Sequence, residues 1–206
     1  MITELQDKNI DPKVYAEKII KKPDSIKQYL EGLLSKDETY RYNCFKVLFI
    51  VSEKKPDLLY PYWDFFENHL RSKNNYHKMS AVLIIANLTS VDKENKFKKL
   101  FDEFYGYLKS EKTITSIYIV KSSGKIARYK PELIEKITKI LLDIEKIHTG
   151  KQIELVKSAA IESLSEFFEF IENKKKVIDF VKKQIGSSSP KTRKIAKDFL
   201  KKYGEV

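Results

Sequence analysis

The tetrapeptide Lys21-Lys22-Pro23-Asp24 returns unchanged at Lys54-Lys55-Pro56-Asp57, and a relative stands at Lys130-Pro131-Glu132. Each is followed by apolar residues at helical spacing. Proline at the first helical position gives up no hydrogen bond, and an acid just after it meets the positive end of the helix dipole. The three therefore read as helix starts of one design. Displacing the chain by 75 positions lays Lys46, Val51, Lys55, Pro56, Asp57, Leu58 and Leu59 on Lys121, Ile126, Lys130, Pro131, Glu132, Leu133 and Ile134. That is two units of about 37 residues, within the range of helical-pair repeats. One amphipathic pair cannot bury its apolar face alone, so such units stack, each mainly against its neighbours.

Further units follow the same logic. One opens near Tyr76 with His77-Lys78-Met79-Ser80-Ala81, its second helix coming after the break at Ser90-Val91-Asp92; another opens at Val156-Lys157-Ser158-Ala159-Ala160. A last helix opens at Pro190, with Ser189 as its cap. The pattern predicts helices over 11–21, 24–35, 38–53, 56–71, 75–89, 92–109, 113–128, 131–147, 152–172, 174–185 and 190–203. Thr113-Ile114-Thr115-Ser116-Ile117-Tyr118-Ile119-Val120 would read as a strand in isolation, but the repeat assigns it to a helix. Only six glycines and six prolines against one third charged residues also suit helices with solvated faces better than a turn-rich β architecture. The expected fold is all-α: an α-α superhelix of about five helix pairs plus a C-terminal helix, in a single repeat domain over 1–206.

Val156-Lys157-Ser158-Ala159-Ala160-Ile161-Glu162-Ser163-Leu164 and Thr192-Arg193-Lys194-Ile195-Ala196-Lys197 resemble the first helix of HEAT repeats, where small residues let paired helices approach closely. The helix at Cys44 is bulkier than that pattern, and the one at Ser122-Ser123-Gly124 more polar. The resemblance, to the HEAT-like or armadillo-type α-solenoids, implies that second helices line a concave binding face.

Second helices are thus the place to look for function. From Pro56, the spacing sets Leu59, Tyr62, Phe66 and Leu70 inward and Tyr60, Asp64, Glu67 and Arg71 outward. From Pro131, Leu133, Ile137, Leu141 and Ile144 face the core while Lys136, Lys139, Asp143 and Lys146 project. The following second helix is expected to bury Val177, Ile178, Val181 and Ile185 and to project Lys175, Asp179, Lys182 and Lys183. On a first helix, Lys121, Lys125 and Arg128 form another basic stripe. The formal charge is +11, and it is lopsided: residues 1–111 hold 19 Lys+Arg against 17 Asp+Glu, whereas 112–206 hold 21 against 12. Such asymmetry points to a charged partner, although a stripe of charge on a helix can also be a solvated face.

Chemistry-bearing motifs are scarce. His69, His77 and His148 lack metal-ligand spacing, no phosphate-loop lysine follows Gly186-Ser187-Ser188-Ser189, and Glu162, Glu166 and Glu169 read as a solvated ridge. Cys44, the sole cysteine, lies in an apolar run and reads as a buried thiol. No metal, cofactor or small-molecule substrate is implied. The start of the chain lacks a signal-peptide pattern and no apolar run reaches membrane-spanning length, which reads as a cytoplasmic protein. Two functions remain open: a non-enzymatic scaffold binding a protein partner, one with an acidic surface, or a nucleic-acid-binding solenoid. For the second, Trp63-Asp64 is similar to the aromatic and acidic residues of the HEAT-like alkyl-purine DNA glycosylases, a match of one dipeptide; helical spacing favours core packing for Trp63 and the aromatics around it.

Overall fold

The computed structural model describes residues 3–109 and 112–204. Among these residues it contains twelve α-helices joined by turns and short 3-10 segments, and no strand. None of the described helices is long and apolar enough to cross a membrane. The chain divides into two compact units, Met1–Phe97 and Lys98–Val206.

The first unit contains α1 (Pro12–Lys21), α2 (Ile26–Gly32), α3 (Glu38–Lys54), α4 (Trp63–Leu70) and α5 (Asn75–Leu88). The boundary falls early in α6 (Lys96–Gly106). The second unit continues with α7 (Thr113–Tyr129), α8 (Ile134–Leu142), α9 (Ile144–Ile147), α10 (Ile153–Phe167), α11 (Lys174–Lys183) and α12 (Pro190–Tyr203).

The recurring Lys-Pro-acid sequence has one recurring geometry. Lys22, Lys55 and Lys130 have φ of −136°, −146° and −128° with ψ of 83°, 65° and 69°. A residue before proline is pushed out of the helical region, so the helix must stop there. Each lysine still donates its backbone N–H to the preceding helix, at Lys18, Val51 and Ile126 respectively. The proline then opens a 3-10 turn, at Pro23–Ser25, Pro56–Leu58 and Pro131–Leu133. The motif is thus the hinge between a first helix and its second.

Other helix starts are capped by side chains, which satisfy N–H groups left without an intrahelical partner. Asp11, Asp37, Asn74 and Ser189 accept from the backbone N–H of Lys13, Tyr40, Tyr76 and Thr192. Asp92 accepts from Lys96 and Phe97 at 2.8 and 3.0 Å, so α6 begins at Lys96 rather than at 92 as the periodicity suggests. The expected helix over 131–147 is interrupted at Asp143 (φ −89°, ψ 9°), between α8 and α9. The β-branched run from Thr113 is helical, with Thr115, Ser116, Ile119 and Val120 buried.

In the first unit Trp63, Phe66, Leu48 and Val82 are all wholly buried. Asn43 Nδ2 donates to the carbonyls of Leu5 and Asp7, both at 2.8 Å, tying the N-terminal 3-10 turn to α3. In the second unit α7 packs on α10, and both helices bury small residues: Ser116, Ser123, Gly124 and Ala127 on α7, Ser158, Ala159, Ala160 and Ser163 on α10. Small side chains let helix backbones approach closely while the flanking Ile119, Ile126, Val156 and Ile161 supply the buried apolar area. Ile185 is a correction to the periodicity. It is 41% exposed because α11 ends at Lys183 and the 3-10 turn Gln184–Gly186 changes the phase; Gln184 is buried instead, donating to the Phe180 carbonyl.

Candidate functional site

Helix α8 buries Ile134, Ile137, Thr138 and Leu141, which leaves Glu135, Lys136 and Lys139 exposed. Helix α11 buries Val177, Ile178 and Val181 and exposes Lys175, Lys176, Asp179, Lys182 and Lys183. A groove of about 680 Å³ runs between these two helices, lined among others by Lys136, Lys139, Lys176, Glu135, Asp143 and Leu142. The Lys136 ammonium also lies 5.9 Å from the centre of the Phe101 ring.

The structure therefore brings Lys136 and Lys139 together and adds Lys176, which the sequence reading passed over. Its signal was present in the run Lys174-Lys175-Lys176; what selects Lys176 is the phase of α11, set where Asn173 accepts from the Lys176 N–H at 3.2 Å. Lys175, Lys182 and Lys183 are exposed on α11 but do not line the groove. Lys146 lies outside it as well and donates to Asp143 at 2.8 Å; that hydrogen bond, with the carboxylate's charge, raises the Lys146 pKa.

The stripe of Lys121, Lys125 and Arg128 has a different setting. Lys121 stands 3.5 Å from Glu162. The side chain of Glu166 lies over Gly124, and burial there pushes its pKa up, while Arg128 and Lys125 pull it partly back. Glu169, the third member of the acidic ridge, pairs with Lys174 at 3.4 Å. The ridge expected to be merely solvated is thus the electrostatic counterpart of basic groups on neighbouring helices, because α10 packs directly on α7.

Trp63 is 0% exposed and donates its indole N–H to Glu67 at 3.0 Å, so its ring faces no ligand; Asp64 points to solvent, 4.0 Å from Lys96. The Trp63-Asp64 likeness thus places no base-stacking ring on the surface. Cys44 is fully buried, and burial pushes its thiol up to about 12, out of the nucleophilic range. His69 and His77 stack with centroids 4.2 Å apart, yet among the described residues no three His, Cys, Asp or Glu side chains gather to hold a metal. No family model, no curated protein and no solved structure matches the chain.

Proposed function

We propose that this chain is a HEAT-like helical-repeat scaffold, without catalytic activity, that holds an acidic segment of a protein partner along the face of α8 and α11. The observation that carries the reading is the groove in which Lys136, Lys139 and Lys176 converge. The reading is supported further by the conserved geometry of the three Lys-Pro-acid hinges, which is what a repeated helix pair requires.

The lining of the groove favours protein over nucleic acid. Glu135 and Asp143 stand among the lysines, where they oppose a phosphate backbone but can pair with cations of a mixed-charge peptide. Among the described residues no aromatic ring lines the groove to stack on a base. A strand-binding channel combines the opposite features: an unbroken positive track with rings along it.

The test titrates a labelled Glu-rich peptide, and separately single-stranded and duplex nucleic acids, at two salt concentrations. Peptide binding that falls by about tenfold or more in the triple variant Lys136→Glu, Lys139→Glu, Lys176→Glu supports the reading. Nucleic acid that binds more tightly than the peptide at the same salt, and is lost in the same variant, replaces the reading with the second one.

A further inference from the structure

The first unit holds a cleft of about 540 Å³ at the opening turns of α3 and α5. It belongs to neither basic stripe, and it is the right size for a small-molecule site, which typically spans roughly 300–1,000 Å³ with an apolar lining and a few convergent polar groups. Its apolar surface comes from Leu33, Phe45 and Met79. Two further lining rings stay open to solvent: Tyr42 is 52% exposed and Tyr76 57%. Large exposed rings on a monomer are individually ordinary, but two in one concave site are a stacking surface.

Charge in the cleft is one-sided. Among the described residues Lys8, Arg41 and Lys46 line it against the single carboxylate of Glu38. Two of these cations already lie against the exposed rings. The Arg41 guanidinium is 5.3 Å from the Tyr76 centroid and the Lys46 ammonium 4.9 Å from that of Tyr42. Arg41 is held in place by donating to the Ser35 carbonyl at 2.8 Å and stands 3.8 Å from Glu38. His77 also lines the cleft, and its Nδ1 is 3.0 Å from the Ser72 hydroxyl. Burial, then the charge of Arg41, lowers the His77 pKa, so it adds no positive charge at neutral pH.

We propose that this cleft binds a small aromatic anion of nucleotide size, its flat ring stacked against Tyr42 and Tyr76 and its phosphate or carboxylate held by Arg41 and Lys46. A ring alone leaves three cations facing only Glu38, and an anion alone leaves the two rings and the apolar floor uncovered. A free ligand fits better than a nucleic-acid strand, because residues 1–97 carry 16 Lys+Arg against 14 Asp+Glu. The first unit therefore has a surplus of only two positive charges to lead a strand away from the cleft.

Calorimetric titration of the full chain with adenosine 5′-monophosphate, adenosine and ribose 5-phosphate tests this. The nucleotide is expected to bind one per chain, with adenosine and ribose 5-phosphate each weaker by about tenfold or more. The double variant Tyr42→Ala, Tyr76→Ala and, separately, Lys46→Gln are expected to weaken the nucleotide by about tenfold with the melting temperature unchanged. All three substituted side chains are solvent-accessible, so a loss of fold in one variant leaves the other to decide. Lys136→Glu with Lys139→Glu is expected to leave nucleotide binding intact, which separates this site from the α8–α11 face. Equal binding of the nucleotide and ribose 5-phosphate, indifference to the tyrosine substitutions, or no saturable binding overturns the assignment. So does a short oligoadenylate that binds about tenfold more tightly than the mononucleotide, since that result makes the ligand a strand.

Discussion

The first unit gathers its central helices around rings, with Trp63 and Phe66 wholly buried and His69 stacked between Phe65 and His77. The second unit has buried rings too, Phe104, Phe167 and Phe168, but its packed helices α7 and α10 bury many serines and alanines and a glycine. Each unit buries a histidine whose Nε2 has no hydrogen-bond partner, His69 in the first and His148 in the second, but the second also buries a cation, Lys157, which donates to Glu145 and Glu154, both at 2.9 Å. One repeat pattern therefore tolerates two kinds of interior: one sensitive to what is removed, the other to what is added.

The largest effects follow from that contrast. Trp63→Ala empties the centre of the first unit and is expected to cost about 3–5 kcal/mol. Ala160→Leu inserts bulk at a wholly buried position of α10 and is expected to cost about 1–3 kcal/mol. Denaturant unfolding followed with probes in each unit reads both. If Trp63→Ala lowered the stability of both units equally, the division into two separately packed interiors would be wrong.

Acid comes next. Burial, with a smaller contribution from the charge of His77, lowers the His69 pKa from its ordinary 6.5 to about 4. Between those values the unfolded chain binds the proton and the folded one does not, so the stability of the first unit falls as pH falls through that window, by about 3 kcal/mol in total. For Lys157 burial opposes the charge, but the hydrogen bonds and charges of Glu145 and Glu154 outweigh it and the pKa is raised. Burial would likewise raise Glu154, yet its bonds to Ser187 and Lys157 prevail and its pKa lies below the ordinary 4.5. That contribution is present above 4.5 and lost below it. The first unit should therefore weaken at a higher pH than the second, and His69→Phe should flatten its dependence between pH 6.5 and 4. Amide exchange of α4 and α10 at pH 7, 5 and 4 checks the order of loss.

Legibility in the sequence tracks how local each determinant is. The Lys-Pro-acid hinge acts within a few residues, so its three copies announced three helix junctions, and the Ser189 cap was readable for the same reason. Trp63 was assigned to the core by spacing alone and lies there. Ile185 failed because a single 3-10 turn alters the phase that spacing arguments rely on. The setting of the basic stripe on α7 was not legible: its counter-charges Glu162 and Glu166 lie some 40 residues away and meet it only when α10 packs on α7. Of the α8–α11 groove, Lys136 and Lys139 were visible and Lys176 was not. The cleft of Tyr42 and Tyr76 joins helices that no local pattern links.

The smallest effects concern two glycines that test the comparison most finely. A Cβ on Gly32 would collide with Cys44 Sγ and stand 3.1 Å from both Cys44 Cβ and a carbon of the Tyr40 ring. Cys44 and Tyr40 are both buried and cannot move without disturbing α3, so Gly32→Ala is expected to cost about 1–3 kcal/mol. A Cβ on Gly124 would stand 2.6 Å from Glu166 Oε2 and 3.0 Å from its Cβ. Here the obstacle is mainly the end of a flexible side chain with solvent beside it. Replacing glycine inside α7 also favours the helix by up to about 1 kcal/mol. Gly124→Ala is therefore expected to lie within about 1 kcal/mol of neutral, with the carboxylate displaced outward. Displacement relieves the burial that raises the Glu166 pKa, so an NMR titration should find it lower in the variant. A destabilisation as large as that of Gly32→Ala, with the Glu166 titration unmoved, would mean that α7 and α10 are locked as tightly as the ring-packed interior, and the contrast between the two units would fail at its centre.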